Sequence, residues 1–471
     1  MKASHSSSLK FSAQPRILPA MFAIAMMIDV TQAGPGGFPI FPPIIPPIIK
    51  PPSQDGYDHW ISPVGGSWTD INNWSSSDGF LGTAFNISGS YTVTNVTGAE
   101  PNVSVSAGNI TLDAGGGTLG ITDALYVSSE LTLLNGTFGS ATGNTYLSGS
   151  SGGSGILNVS GNASLTASSV SLAADAGTHS TLNIGSGAAV GTLNAASVTG
   201  GSGTSTVNFN HTGDHTFAPR LTGSLSVNKL GSGTTTLAGN NTYSGATTVS
   251  GGSLVINGAV ASTSVVVDGK LSGSGVMANA TLSGSGSINP GNSPGVMTAA
   301  ATNPTGGLDY NFEFTVGNAQ PTWNAPTASG NDVLRLTTIT TPFTASLSAS
   351  NEVNIYLNAG ALNIGEVFTG GFYTDSNTAF LSSISSGTFN YLVASVGGAV
   401  SYNGTNYEVY SGPLTFNLAT VSQSANFGAG VVNGYTTQFT VVPEPGTFTL
   451  LGLGISSLLF RRRSRPQSEQ I

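Results

Sequence analysis

The sequence predicts an all-β chain: a right-handed parallel β-solenoid with an N-terminal cap, a β-rich distal region and a short C-terminal transmembrane helix. Composition is the first observation behind this reading. Charged residues make up 7% of the 471 residues and Gly contributes 65, whereas an ordinary soluble domain carries about 25% charge. Mean hydropathy is nonetheless +0.14, so the chain is too apolar and too weakly charged for a disordered polymer. The second observation is a repeat. Gly155-Ile156-Leu157-Asn158-Val159, Ser180-Thr181-Leu182-Asn183-Ile184 and Ser205-Thr206-Val207-Asn208-Phe209 are copies of one element, 25 residues apart at both steps. The third is the lack of any helical stripe between residues 55 and 440; aliphatics alternate instead with small uncharged polar residues, a pattern suited to strands and turns.

The elements follow in order. Lys2, Lys10 and Arg16 precede an apolar stretch, Ile17–Ile28, and Thr31-Gln32-Ala33 offers small residues before Gly34. These are the parts of a secretory signal peptide over residues 1–33. Residues 34–54 hold eight prolines, among them Pro42-Pro43 and Pro46-Pro47, and read as an extended polyproline-II linker. Residues 55–135 form a Trp-rich cap and the first coils. Trp60, Trp68 and Trp74, three of the four tryptophans, fall within fifteen residues. A repeat stack needs such a plug, because an open end exposes apolar surface and unpaired edges. The alternative for the same three rings is a platform that stacks on carbohydrate.

Residues 136–304 are the repeats proper. Each copy follows a shorter strand, at Thr145-Tyr146-Leu147, Val170-Ser171-Leu172 and Ala196-Ser197-Val198. With a period of two along a strand, Leu157/Val159, Leu182/Ile184 and Val207/Phe209 face inward. Asn158, Asn183 and Asn208 then line up outside as an amide ladder with a structural role. These copies resemble the repeat shared by type-V secretion passengers and PEP-CTERM proteins. The next stretch runs through Val227-Asn228-Lys229-Leu230-Gly231 and Gly239-Asn240-Asn241-Thr242-Tyr243-Ser244-Gly245, and it resembles the autotransporter-associated β-strand repeat. Asn289–Gly295 is similar to the turn that closes the last coils of such passengers. From 305 to 440 aromatics and acids rise; this texture suits either further, irregular coils or a small antiparallel cap, with Gly370–Asp375 as an aromatic turn.

The final segment, residues 441–471, combines Pro443-Glu444-Pro445, an apolar run Gly446–Phe460, and Arg461, Arg462 and Arg463. Fifteen residues are short for a stable span, which wants about 20, and the arginines favour the cytoplasmic face. The arrangement resembles the PEP-CTERM sorting signal. That resemblance implies recognition by an exosortase-type processing enzyme and transient membrane insertion through the C-terminal helix. It also implies export across the inner membrane of a Gram-negative-type envelope to the outer surface or matrix, with exopolysaccharide as a partner.

Charge and chemistry narrow the function further. Apart from the predicted signal peptide and sorting tail, 18 acids face five bases, a net charge of about −13, which argues against nucleic acid and anionic membrane surfaces as partners. With no cysteine in the chain, disulfides and thiolate sites are excluded. His211-Thr212-Gly213-Asp214-His215 is the one close cluster of metal-type ligands, but Gly213 and its strand texture suit a polar turn better than a zinc site. Asp309, Glu313 and Asp332 form an alternative calcium grouping. Between residues 131 and 308 the acids are Asp175, Asp214 and Asp268, a poor supply for glycoside hydrolysis, which needs two facing carboxyls. Asp268 and Lys270 read as a surface ion pair. The expectation is a non-enzymatic, adhesin-like surface or biofilm-matrix protein without cofactor or resident metal. A carbohydrate-active lectin, lyase or hydrolase is the alternative.

Overall fold

The computed structural model describes residues 58–444 apart from 63–64, 71–72, 75–84, 148–152, 293, 316–322, 325–326, 329–330, 338–349, 359–361, 376–386, 413 and 428–430. These residues are all-β, with a 3-10 turn at Pro304–Gly306. Most strands pair in parallel with the equivalent strand one turn further along the chain. One ladder runs through Tyr91–Thr94, Asn109–Asp113, Glu130–Leu134, Ser154–Val159 and His179–Ile184, then through the later halves of Ser197–Phe209 and Arg220–Lys229 to Thr247–Val249 and Ser264–Val267. A second ladder joins Gly98–Ala107, Thr118–Val127, Asn144–Leu147, Ser169–Leu172 and the first half of Ser197–Phe209. A third joins Thr137–Gly139, Ser164–Thr166 and Thr192–Asn194. From Asp214 a separate sheet passes through Thr234–Leu237, Ser253–Ile256, Lys270–Gly273, Ser287–Pro290 and Asp309–Thr315. Parallel ladders wrapped around one continuous core are the arrangement of a β-solenoid.

The register follows from the sequence repeat. Leu157 pairs with Leu182 and then Val207, and Val159 with Ile184 and then Phe209; all are buried. A one-residue slip would turn this whole column outward, and each aliphatic buried is worth about 1.5–3 kcal/mol. On the outer face Asn183 Nδ2 donates to Asn158 Oδ1 at 2.6 Å and Asn208 Nδ2 to Asn183 Oδ1 at 2.8 Å. The ladder is longer than the repeat suggests. Asn228 continues it at one end, at 2.9 Å, and Thr132 at the other, at 3.0 Å. Successive rungs also shorten, from 25 residues between Asn183 and Asn208 to 20 between Asn208 and Asn228, and to 17 between Asp268 and Ser285.

Both sheets run on past residue 305. Val296–Thr302 pairs in parallel with Val333–Leu336, which pairs with Val367–Thr374; Asp309–Thr315 pairs with Glu352–Asn358, and that strand with Thr388–Ala394. Then the direction reverses. Leu414–Asn426 and Val431–Pro443 form a long antiparallel hairpin whose second strand lies against Val367–Thr374. The sequence left further coils and an antiparallel cap as alternatives, and the chain builds both. Two local readings are corrected. Gly370–Thr374 is the end of a strand rather than a turn: its two glycines, at φ 150° and 81°, sit where the register shifts, and this bulge sends Phe372 and Tyr373 into the core. Ser287–Pro290 is a strand of the second sheet and the turn at Gly291 does not end the coil.

Among the described residues no helix is long and apolar enough to cross a membrane. The predicted helix at 446–460 lies outside the described residues, as do the predicted signal peptide (1–33) and linker (34–54).

Candidate functional site

The tryptophan group sits in the first rungs. Trp68 packs edge-on to Trp74 at 4.8 Å, Trp60 edge-on to Trp74 at 5.1 Å, and Tyr91 stacks on Trp60 at 5.9 Å. Trp74 Nε1 donates to the Trp68 carbonyl at 2.9 Å and Trp60 Nε1 to the Ser62 carbonyl at 3.1 Å. All three indoles are buried. Their faces are taken up by one another, so a sugar ring has no access to them in this arrangement.

The passenger-like stretch shows how its polar residues are used. Asn241, buried, accepts from the Leu221 backbone N–H at 2.9 Å and donates to the Gly239 carbonyl at 2.9 Å. Tyr243, also buried, shares a 2.7 Å hydrogen bond with Thr247, and burial holds its phenol up at about 12. Lys229 is the residue that the sequence reading missed. It takes the core position between Phe209 and Val249 and is fully buried. Its ammonium group donates to the carbonyl of Gly231 and, at 3.5 Å, to that of Gly251. Burial pushes its pKa below the usual lysine value. The alternation Val227, Lys229 was the available signal, because it places the lysine on the inward face.

His211 and His215 meet edge to face at 5.6 Å. Both nitrogens of His211 are engaged, Nδ1 with the Gly213 carbonyl at 2.8 Å and Nε2 with Thr235 Oγ1 at 2.7 Å. His215 Nε2 is out of solvent without a hydrogen-bond partner, and burial together with the charge of His211 lowers its pKa to about 4. Burial disfavours the charged form of both rings, His211 buried beside the turn and His215 half-buried on the strand Asp214–Phe217. Among the described residues no group of three or more His, Asp or Glu could hold a metal ion.

Each acid of the predicted calcium grouping serves the backbone or an amide. Asp332 is fully buried. Its Oδ1 accepts from Gly295 N and its Oδ2 from Glu313 N, both at 2.8 Å; burial outweighs these bonds and raises its pKa well above the usual carboxylate range. Glu313 accepts from Asn403 Nδ2 at 3.1 Å, and Asp309 from Glu352 N at 3.0 Å. Asp268 and Lys270 do not pair. Asp268 accepts from Ser285 N and Oγ at 3.1 and 2.9 Å, while Lys270 Nζ lies 5.8 Å from the Tyr402 ring centre. Arg335 and Asp375 form a two-pronged pair, at 3.0 and 2.7 Å, with the guanidinium over Phe427 at 4.4 Å.

The outer face offers one feature of another kind. Tyr126 and Tyr146 are paired in register on neighbouring rungs and stack at 5.3 Å with planes 15° apart. They are 44% and 37% exposed, and no other Phe, Tyr or Trp whose side-chain burial is described is exposed. The sequence carried this as Tyr126-Val127 and Tyr146-Leu147, one rung apart, but 20-residue rungs lie outside the 25-residue repeat.

Of the sorting residues, Pro443 ends the last strand, opposite Leu414, and Glu444 is exposed. Pro445 and Arg461, Arg462 and Arg463 lie outside the described residues.

Comparison with known proteins bears on two stretches. Residues 227–256 match the passenger-associated-transport-repeat family, and residues 441–463 match the PEP-CTERM protein-sorting motif. A 75-residue stretch is 43% identical to the adhesin BmaC autotransporter of Brucella suis biovar 1 (strain 1330). That match covers 16% of this chain, which spans only 2% of the adhesin's length. No solved structure matches the chain. The chain thus carries a passenger-type repeat within its parallel stack and, starting on its last strand, a PEP-CTERM sorting motif, which implies export to the cell envelope and processing by an exosortase.

Proposed function

We propose that this chain is an exported, non-enzymatic surface or biofilm-matrix protein, an adhesin-like spacer built as a right-handed β-solenoid. The observation that carries the reading is continuity: the sorting motif begins on the last strand of a single stacked body, so the processing signal and the rod form one unit. In this reading residues 55–440 are the delivered body, the signal peptide is removed on export, and the apolar segment 446–460 holds the chain in the membrane until an exosortase acts. A stack of this kind presents a long, stiff outer surface. The buried acids Asp332 and Glu313 are committed to backbone N–H groups and an amide, which favours a structural role for them over catalysis. The partial likeness to an autotransporter adhesin supports a contact-making role. The test is processing in the native host. Glu444→Ala, or Arg461–Arg463 all to Ala, should leave an unprocessed, membrane-bound precursor and deplete the protein from the matrix. Unchanged maturation would overturn the reading.

A further inference from the structure

The exposed tyrosine pair is placed as a binding surface. Side chains stand roughly perpendicular to a sheet, so Tyr126 and Tyr146 project outward side by side, each covering one face of the other. Their remaining faces look along the stack toward the next rungs, and both neighbours in the column are short. Ser104 pairs with Tyr126 on one side and Ser171 with Tyr146 on the other. Rungs repeat at about 4.8 Å, and a serine reaches only a fraction of a tyrosine's height, so each outer ring face walls a step floored by hydroxyls. Beside the Ser171 step, Ser169 Oγ donates to Asn144 Oδ1 at 2.9 Å, adding further polar groups to its floor. Across these rungs, from 102–105 to 197–200, the two outward columns hold hydroxyls, amides, one alanine and the tyrosines, and no charge.

We infer that the Tyr126–Tyr146 stack is a glycan-binding platform for a neutral polysaccharide, with a pyranose ring against the free face of each tyrosine. The chemistry selects that occupant. An aromatic face flanked by small uncharged donors and acceptors matches the apolar C–H face and equatorial hydroxyls of a sugar. A protein partner would want a broader apolar patch, and no other large apolar side chain between residues 102 and 200 is exposed among those described. A uronate polymer or an anionic lipid surface would want cations, which these columns lack. Stacking alone, as a stabiliser of the coil, does not call for the two rings to stand in solvent beside empty steps.

The inference deepens the surface-protein reading, and the two fail separately. The full-length protein is run through native gels containing soluble neutral β-glucan or galactomannan, with polygalacturonate as the anionic control. The expected result is retardation in a neutral gel only. Tyr146→Ala and Tyr126→Ala each weaken it about threefold to tenfold, the range of one aromatic stacking contact, and the double variant abolishes it. Tyr146→Phe retains it, because the ring and not the hydroxyl makes the contact. Ser171→Ile with Ser104→Ile fills both steps with branched side chains that cover the outer ring faces and present no flat face of their own, which keeps the fold and eliminates retardation. Equal mobility of the wild type in all gels, retardation by polygalacturonate alone, or retardation untouched by the alanine and serine variants overturns the site. Matrix retention that survives any of these outcomes leaves the surface-protein reading standing.

Discussion

The middle rungs and the distal end hold themselves together by different means. Between Ser154 and Val267 the same contacts are repeated: an inward, mainly aliphatic column throughout and an outward amide ladder from Asn158 to Asn228, each residue paired with its equivalent on the next rung. From Asp309 to Pro443 one repeated contact persists, an amide ladder through Asn311, Asn354 and Asn390, but it is joined by singular contacts between residues remote in sequence, such as Asn403 to Glu313, 90 residues apart, or Tyr373 to the Val432 carbonyl, 59 apart. Aromatic packing replaces aliphatic stacking there, with Tyr310 and Phe312 both edge-on to Phe372 at about 5 Å. A repeated contact can be extended rung by rung; a singular one stops the growth. The hairpin Leu414–Pro443 turns the last parallel strand into an antiparallel pair, which ends the parallel stacking of that sheet.

The largest expected effect follows from the repeated column. Phe209→Ala, between Ile184 and Lys229, should cost about 3–5 kcal/mol in urea denaturation. Because stacked repeats are stabilised through nearest neighbours, amide exchange should accelerate across 204–249 while the hairpin at 414–443 keeps its protection. Uniform loss across both regions would show that they do not differ as described.

The next effect belongs to the singular contacts. Asp332→Ala leaves two buried N–H groups, those of Gly295 and Glu313, without partners and should cost about 2–4 kcal/mol, with the distal strands exchanging first. Asp332 also predicts a pH dependence. Its raised pKa means that the folded state holds the proton more tightly, a contribution fully present below the ordinary value of 3.8 and lost as pH rises through the folded value. The stability of wild type minus Asp332→Asn should therefore fall as pH rises above the ordinary carboxylate value; a difference that grows with pH would contradict the burial.

A smaller effect of opposite sign belongs to His215, on the strand Asp214–Phe217. Its pKa is lowered to about 4, so its contribution is present above 6.5 and lost as pH drops toward and through 4. Wild type minus His215→Phe should fall on acidification over that window, read from thermal melts. A flat difference would show the ring to be solvated.

Legibility in the sequence follows the same division. The 25-residue repeat and the period-two alternation gave the register of Leu157, Leu182 and Val207 and the line of Asn158, Asn183 and Asn208, because adjacent rungs repeat the same local pattern. Pro443-Glu444-Pro445 was legible as linear chemistry, since a processing enzyme reads it as a string. The Asp332 clamp was hidden, because its partners Gly295 and Glu313 come together only once the distal strands have stacked. Lys229 was hidden by its charge: a lysine is read as surface, although its place in the alternation pointed inward. The tyrosine pair was hidden by rung length, because 20-residue rungs fall outside the period that revealed the rest.

Cross-linking tests the stacked register most directly. The chain has no cysteine of its own, so introduced pairs report cleanly. Asn183→Cys with Asn208→Cys, and Asn208→Cys with Asn228→Cys, place thiols on adjacent rungs in register; Asn183→Cys with Asn228→Cys places them two rungs, about 9.6 Å, apart, beyond the reach of a disulfide. The account predicts rapid oxidation of both adjacent pairs and none of the distant pair. Failure of the adjacent pairs to close, or closure of the distant one, would contradict it.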